Sequence, residues 1–281
     1  SGANLVIPTL FNVSNRTGEP GVSQGLNQIR TVSAIGQATI GYDNKIFVTL
    51  SGRNDWDSRL PVKANSFFYP GVNTSLMISE LIPTLKGNTI SSLKLKGSYG
   101  TLGNDVAPSN AYRSQLYGEG VYVFDDVLTQ GVAIGRPSNP DLRWETTRQF
   151  NVGADLTFWQ KLDFSTNYFI KNTFDLLFQP EVTAVLGSYG PGGYPPIINA
   201  GSVSNKGVEF ELGYKTPRKK LITADLNVNF TTITNKVTSV PSGVDYIPGA
   251  GFSIGGGTAT RFEPGYEIGY FFGYQTAGIF Q

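Results

Sequence analysis

The residues that decide the fold are Phe150-Asn151-Val152-Gly153-Ala154-Asp155-Leu156-Thr157-Phe158, in which apolar side chains alternate with polar or small ones. Successive side chains of a β-strand point to opposite faces of its sheet. The segment is therefore predicted to be a strand with one apolar face and one hydrophilic face.

The same alternation returns along most of the chain. It is clear in 92–100, 206–215 and 221–230, and weaker in 30–42, 45–54, 67–80, 161–178 and 266–276. Together these segments predict about nine antiparallel strands. Several exceed the roughly five or six residues usual in soluble sheets, and a tilted membrane strand needs roughly 9–11. Strand length thus favours a transmembrane β-barrel.

The connections between the strands alternate in length. Tight turns are expected at 43–44, 159–160 and 217–219, with a moderate link at 81–91. Long loops are expected at 55–66, 102–146, 179–204 and 237–265, with 1–29 as the tail of another. All the tight turns fall at one end of the strands, which is the arrangement of outer-membrane barrels, with short turns in the periplasm and long loops outside.

Composition narrows the function classes. The chain has 281 residues, no Cys, no His, a net charge of +1 and only 15% charged residues. Without thiolate or imidazole groups an enzyme is disfavoured, and no metal or cofactor is expected. The chain has no basic field to attract nucleic acid. A soluble β-sandwich is compatible with the composition alone.

The hydrophilic side chains of the strands have two interpretations. Lys94, Lys96, Glu209 and Glu211 would be solvated on the outside of a soluble sheet, or would line the wet lumen of a wide barrel. Aromatic residues near strand ends suggest interface girdles, although aromatics also favour strands in general. These residues are Tyr42, Trp56, Phe67, Phe68, Tyr69, Trp144, Phe158 and Trp159.

Five motifs occur in a fixed order over residues 30–281. They are Tyr42-Asp43-Asn44-Lys45, Leu93-Lys94-Leu95-Lys96-Gly97-Ser98-Tyr99-Gly100 with Gly103-Asn104, Asn139-Pro140-Asp141-Leu142-Arg143-Trp144-Glu145-Thr146-Thr147 running into Phe150-Asn151-Val152-Gly153, Val203-Ser204-Asn205-Lys206-Gly207-Val208-Glu209, and Gly269-Tyr270-Phe271-Phe272-Gly273-Tyr274 with Gly278-Ile279-Phe280. As an ordered set they resemble the SusC/RagA-type TonB-dependent transporters of Gram-negative outer membranes.

The resemblance implies an all-β fold, an antiparallel transmembrane β-barrel segment cut from a larger barrel of about 22 strands. We expect residues 1–281 to be part of the barrel domain of a longer chain, without the plug domain and the final strands. The implied location is the cell outer membrane of a Gram-negative bacterium. The implied partners are a SusD-like surface lipoprotein, the TonB complex through regions absent here, outer-membrane lipid and the substrate.

Candidate ligand-binding residues lie in the predicted outer loops. Loop 102–146 offers aromatic rings for stacking and polar groups for hydrogen bonds, namely Tyr112, Arg113, Gln115, Tyr117, Tyr122, Phe124, Asp125 and Asp126. The Gly- and Pro-rich loop 179–204 adds Tyr189 and Tyr194. The alternatives are ordinary loop packing for 102–146 and a mere connection for 179–204, and two adjacent carboxylates are far from the full oxygen cage of a calcium site.

Two other clusters have simple interpretations. Arg53, Asp55, Asp57 and Arg59 predict ion pairs at the base of a loop. The run 255–257 is rich in Gly but lacks the Lys-Ser/Thr sequel of a phosphate-binding loop.

The leading functional hypothesis is TonB-dependent import of a large nutrient, an oligosaccharide or a peptide, with this segment forming barrel wall and outer loops. One alternative is a passive outer-membrane barrel or surface adhesin without energy coupling. A second is a secreted polysaccharide-binding or glycoside-cleaving β-protein, which would fold without detergent.

Overall fold

Eight long antiparallel strands form one continuous sheet, which we call the wall sheet. A computed structural model describes residues 26–104, 107–179, 195–216, 224–250, 258–273 and 278. The wall strands are, in spatial order, β1 (Thr31–Tyr42), β2 (Ile46–Asp57), β3 (Ser66–Met77), β4 (Ile90–Asn104), β7 (Glu145–Phe158), β8 (Leu162–Phe174), β11 (Ser202–Lys215) and β12 (Asp225–Ser239). The spatial order of the wall strands is the same as their order in the sequence, as in a transmembrane meander.

The remaining elements belong to the connections. They are the hairpin β5 (Gln115–Phe124) and β6 (Val127–Arg136), the pair β9 (Leu177–Phe178) and β10 (Ile198–Asn199), and the small sheet β13 (Ile247–Pro248), β14 (Thr260–Phe262) and β15 (Tyr270–Phe271). Among the described residues the helical turns are α1 (Ile78–Leu81) and the 3-10 turns Val62–Ala64 and Pro83–Leu85. No helix within the described ranges has the length and hydropathy of a membrane span.

The alternation in the sequence located the wall strands well, and three predictions need correction. Segment 266–276 is not a wall strand where it is described, because only Tyr270–Phe271 pair there, in the small sheet with β14. The predicted loop 102–146 contains the hairpin β5–β6, which the sequence analysis missed. The strand predicted over 67–80 ends at Met77, where α1 begins.

The tight turns have the backbone that strand twist requires. Asp43 and Asn44 have φ of 47° and 51°, and Trp159 and Gln160 have φ of 50° and 57°. Positive φ at both central residues defines the type I′ hairpin turn, whose twist matches that of the strands. The predicted turn at 217–219 lies outside the described residues, although Lys215 pairs with Asp225 on either side of it. The short connections therefore share one end of the wall sheet.

Strand register gives the wall sheet two distinct faces. Partners such as Val152 and Tyr168, or Phe210 and Phe230, lie side by side on the apolar face. In β7 this face is apolar from Phe150 to Phe158, and the length of this segment, nine residues, matches the roughly 9–11 of a tilted membrane strand. Phe150, Val152, Phe210 and Phe230 are all at least 39% exposed, so no described element covers the middle of the apolar face.

The buried core lies at the end of the wall that carries the long connections. It consists of Leu60, Ala107, Ala111, Leu142, Trp144 and Ile197, which we call the loop cluster. Its members come from three different connections, β2–β3, β4–β7 and β8–β11. The wall itself supplies only partly buried neighbours such as Phe67. Burial therefore ties loops together, while hydrogen bonds between strands hold the wall.

Candidate functional site

The polar face of the wall sheet is assembled in rows that cross many strands. One row joins Gln37, Ser51, Gly71, Gly100, Gln149, Lys171, Asn205 and Asn235 through successive pairings. The rows follow from register, because residues opposite each other on neighbouring strands share a face. This row presents four amides, one hydroxyl, two glycines and the ammonium group of Lys171 to water. It is the surface expected of a barrel lumen.

The outer half of the polar face contains an open concavity of about 620 Å³, which we call the outer concavity. Small residues form its floor, including Ser51, Gly71 and Gly100. A methyl group at Gly71 would lie 2.6 Å from Ser51 Oγ, so a larger residue there would displace that side chain. The glycines therefore keep the floor low and the concavity open.

Uncharged polar groups line one side of the outer concavity. Gln149 Nε2 donates to Asn151 Oδ1 at 3.0 Å, and Asn151 Nδ2 donates to Ser98 Oγ at 2.9 Å. Asn73 and Asn104 also contribute to the lining. Amide groups both donate and accept hydrogen bonds, as the hydroxyls of a sugar and the backbone of a peptide require.

Aromatic rings and one ion pair line the opposite side. Tyr69 packs edge-on against Trp144 at 6.4 Å between ring centroids. Arg53 Nε donates to Asp55 Oδ1 at 2.7 Å and Arg53 Nη2 to Ser33 Oγ at 3.3 Å. The arrangement can stack a flat apolar ligand surface and hydrogen-bond to its polar edges.

The half of the polar face nearer the tight turns is charged. Lys96 Nζ lies 2.6 Å from Asp155 Oδ1, Lys94 Nζ lies 3.5 Å from Asp155 Oδ2, and Ser165 Oγ donates to Asp155 at 2.7 Å. Glu209 and Glu211 follow on β11, opposite Asn167 and Ser165. As predicted, Lys94, Lys96, Glu209 and Glu211 share one face. A second concavity of about 410 Å³ is lined in part by Lys94, Lys96 and Glu209.

The motif Asn139-Pro140-Asp141-Leu142-Arg143-Trp144-Glu145 joins the long connections to one another. Asn139 Nδ2 donates to Ile197 O at 2.7 Å, and Glu145 accepts from Leu177 N at 2.8 Å and from Asn104 Nδ2 at 2.9 Å. Leu142 is fully buried in the loop cluster. The conspicuous residues of this motif therefore have a structural role above the outer concavity.

The predicted ion pairs at the base of the β2–β3 loop are present. Asp57 is 1% exposed and accepts hydrogen bonds from Arg59 Nη2 at 2.9 Å, Arg59 N at 2.7 Å and Thr31 Oγ1 at 2.5 Å. Burial alone would favour its neutral form. The hydrogen bonds from Arg59 and Thr31 outweigh that effect and hold the pKa of Asp57 well below its ordinary value.

The ten predicted ligand-binding residues do not converge on one described site. Tyr112 and Arg113 lie at the base of the hairpin, where the guanidinium lies 5.1 Å from the Tyr112 ring and Tyr112 packs on the loop cluster. Gln115 begins β5, Tyr117 lies within it, and exposed Tyr122 and Phe124 lie at its far end. Tyr189 and Tyr194 fall outside the described residues.

Asp125 and Asp126 have a conformational explanation. Their φ values of 51° and 56° place them at the centre of the two-residue turn of the β5–β6 hairpin. Aspartate tolerates the left-handed conformation better than most residues. In the described part of the chain no three metal-binding side chains of the His, Cys, Asp or Glu type come together.

The aromatic residues predicted as membrane girdles separate into two groups. Tyr42 and Trp159 are 69% and 56% exposed at the turn end of the wall, where a girdle would lie. Trp144 is buried in the loop cluster, so the girdle prediction was wrong for this residue. Phe67 and Tyr69 pack against Trp144 on the polar face, and so do not face lipid.

Sequence reasoning overlooked Asn73, Ser98, Gln149 and Asn151 as possible ligand contacts, although they line the outer concavity. These residues occupy the polar positions of the alternating pattern, and the pattern indicates only that each of them faces the lumen. The pattern of one strand does not reveal which polar residues of other strands stand beside it. That information lies in the register.

A wide sheet with an uncovered apolar face, a polar face and loops sorted by length defines the wall of an outer-membrane β-barrel. Residues 6–278 match the family model described as TonB dependent receptor-like, beta-barrel. The chain therefore belongs to this family, a family of the Gram-negative outer membrane.

Individual relatives agree with this assignment. A TonB-dependent receptor of Formosa agariphila is 30% identical over 99% of this chain and 25% of its own length. The TonB-dependent receptor SusC of Bacteroides thetaiotaomicron is 27% identical over 87% of this chain and 25% of its own length. The chain thus spans about a quarter of the length of these curated relatives.

Among solved structures, the RagAB peptide transporter superposes with a TM-score of 0.77. The match covers 94% of this chain and 28% of that chain, at 23% sequence identity. At this identity the likeness concerns the fold alone.

Proposed function

We propose that the protein carrying this chain imports a large nutrient, an oligosaccharide or a peptide, across the outer membrane by TonB-dependent active transport. This segment would supply barrel wall, lumen lining and outer loops. The observation that carries the proposal is the outer concavity, an open polar surface bounded by aromatic rings on the lumenal side of the wall. The family assignment supports the same proposed function.

The chemistry of the outer concavity favours binding over catalysis. Its lining contains amides, hydroxyls and rings, and its one carboxylate, Asp55, is paired with Arg53. Neutral hydrogen-bonding groups beside an aromatic ring suit a sugar and a peptide backbone equally. The proposed cargo is therefore an oligosaccharide or a peptide.

Partners follow from the same proposal. A SusD-like surface lipoprotein would close the outer end, and the TonB complex would act through regions of the protein outside this chain. The β5–β6 hairpin is a suitable contact for the lipoprotein, because one of its faces carries Leu116, Val121, Val123, Leu128, Val132 and Ile134, each at least 51% exposed. Exposed aliphatic surface of this extent marks an interaction site. Ligand contacts by Tyr122, Phe124 and the other predicted loop residues belong to this proposal too.

Uptake of labelled oligosaccharides and peptides into cells that carry the full-length protein tests the proposal. The expected result is uptake that stops when TonB is deleted. Uptake that persists without TonB would indicate a passive barrel, and ligand binding without any uptake would indicate an adhesin.

A double substitution, Gln149→Leu with Asn151→Leu, tests the outer concavity separately. It removes amide groups from the polar face without changing charge, and the expected result is weaker ligand binding by the purified full-length protein. Thr157→Val, on the same strand and face nearer the tight turns, is the matched control. Equal binding by the double variant and the wild type would exclude the outer concavity as a ligand contact.

A further inference from the structure

The apolar face of the wall sheet carries three charged residues in its described strands, and all three are basic. They are Arg148 on β7, Lys206 on β11 and Lys236 on β12, which we call the basic row. Register places them on this face, because Arg148 lies opposite Asn172, Lys206 opposite Ile170, and Lys236 opposite Ser204. The acidic residues of the wall strands all lie on the polar face.

Two members of the basic row share one register row of the wall sheet, and the third lies in the adjacent row of the same face. Asn172 pairs with both Arg148 and Ser204, and Ser204 pairs with Lys236, so Arg148 and Lys236 belong to the same row. Lys206 is two residues lower on β11, about 7 Å away along the strand. Three strand spacings separate Arg148 from Lys236, about 14 Å. The three cations therefore form one compact patch over four neighbouring strands.

This patch lies at the outer boundary of the membrane band. Phe150 is the last apolar residue of this face on β7, and Arg148 follows it toward the long connections. On β8, Asn172 follows Ile170, and Phe174 lies beyond it at the end of the strand. The Arg148 guanidinium lies 5.4 Å from the ring of Phe174, which is farther out on the same face. The side chain thus extends away from the apolar band, as expected for a cation that reaches for the interface.

The other boundary of the same face is uncharged. Tyr42, Phe158, Leu162 and Tyr214 occupy it. The two edges of the membrane band therefore differ in chemistry, with cations at the loop end and apolar or aromatic side chains at the turn end. Solvation alone gives no reason for such a difference.

The three cations have no acidic partner among the residues that the structure describes. No ion pair within the described ranges includes Arg148, Lys206 or Lys236, and each is exposed. Cations at a membrane surface attract anionic headgroups, and a guanidinium can bind a phosphate through two parallel hydrogen bonds. The outer leaflet of a Gram-negative outer membrane is built of phosphorylated glycolipid.

We propose that the basic row is a binding site for the phosphate groups of an outer-leaflet glycolipid, held against the outside of the barrel. Arg148 on β7 binds one phosphate group. Lys206 on β11 and Lys236 on β12 neutralise further negative charge of the lipid. The site is independent of cargo, since it lies on the opposite face of the wall from the outer concavity. The proposed lipid site requires only that the wall sheet is embedded in the outer membrane.

The test uses the full-length protein in phosphatidylcholine nanodiscs, titrated with lipid A that carries both phosphates. The variant is Arg148→Gln with Lys206→Gln and Lys236→Gln. Each cation near a charged membrane surface contributes roughly fivefold to affinity, so the triple variant should bind on the order of a hundredfold more weakly. Lipid A stripped of both phosphates should bind the wild type as weakly.

The matched control removes three charges from the turn end, by Lys86→Gln, Lys161→Gln and Lys215→Gln, and should leave lipid A binding unchanged. Equal losses in both triple variants, or no loss in either, would overturn the proposal. Displacement by millimolar inorganic phosphate would overturn the lipid assignment and leave a site for the free ion. Arg148→Lys with Lys206→Arg and Lys236→Arg should retain binding, which separates lost charge from lost folding.

Discussion

Among single residues, Asp57 is a negatively charged group that is buried at the outer end of the wall sheet. Its carboxylate is buried and accepts hydrogen bonds from Arg59 and Thr31. Asp57→Asn removes the charge that these donors satisfy, so we expect a loss of about 2 kcal/mol in the free energy of unfolding. Thermal unfolding of the full-length protein measures it, and Asp141→Asn, an exposed carboxylate paired with Lys63, is the control with little effect.

The pH dependence of the Asp57 contribution has a definite sign. The folded pKa is lower than the unfolded value of 3.8, so the stabilisation is fully present above 3.8 and is lost as pH falls below it. The difference between Asp57→Asn and the wild type should stay constant from neutral pH down to about 4.5 and shrink at lower pH. A difference that already shrinks between pH 7 and pH 5 would contradict this account.

The sequence identified these residues as a cluster but left their geometry open. Arg53, Asp55, Asp57 and Arg59 are close in the chain, so their pairing was predictable. Trp144 was assigned to a membrane girdle because its position near a strand end fits either role. Its burial depends on Leu60 and Ile197, which arrive from other connections and are invisible to a local pattern.

Within a single strand, the two faces of β7 make opposite predictions for the same substitution. Val152 lies on the apolar face within the membrane band, and Asn151 lies beside it on the polar face. Val152→Lys should cost about 2–4 kcal/mol, because the charge faces hydrocarbon, while Asn151→Lys should cost much less. Folding of the two full-length variants into lipid vesicles, followed by denaturant titration, compares them directly. Similar losses at both positions would mean that the faces are assigned wrongly.

Among the connections, the loop cluster predicts a cooperative response. Leu142 is fully buried and packs among residues of three connections, so Leu142→Ala should cost about 2–5 kcal/mol by leaving a cavity. Amide exchange should then rise in 58–65 and 195–201, which contact the cluster, and stay unchanged in the β1–β2 turn at the opposite end. A rise confined to the neighbours of Leu142 in the chain would show that the loops are independent.

The strands of the wall were predictable because alternation is local, whereas the hairpin β5–β6 was not. Its strands contain Gly118, Gly120 and Gly131, and its register shifts between Gly118 and Val121, which breaks the period of two. The same limit applied to the outer concavity. Its polar residues were visible strand by strand, and their assembly depended on register across β2, β3, β4 and β7.

On the scale of the whole molecule, the wall sheet has two strands at its edges, β1 and β12. Every residue of β1 is exposed, and its outer edge has no partner strand within the described ranges. In the described part of the chain, the backbone of β12 is bonded beyond β11 only at Val237, which exchanges hydrogen bonds with Gly265 and Tyr266. In lipid each unpaired backbone group costs several kcal/mol, so an open sheet cannot span a bilayer. The wall sheet therefore needs further strands along both edges.

This requirement predicts how the 281-residue chain behaves when it is expressed alone. Its apolar face, built to meet lipid, and its open edges would both be exposed to water, so aggregation should compete successfully with folding. In buffer without detergent we expect no monomer with a cooperative unfolding transition, whereas the full-length protein should refold in detergent. Size-exclusion chromatography and circular dichroism distinguish the two outcomes. A soluble, cooperatively folded monomer would contradict the barrel wall and favour a secreted β-protein, because only a sheet with its own core could hide the apolar face from water.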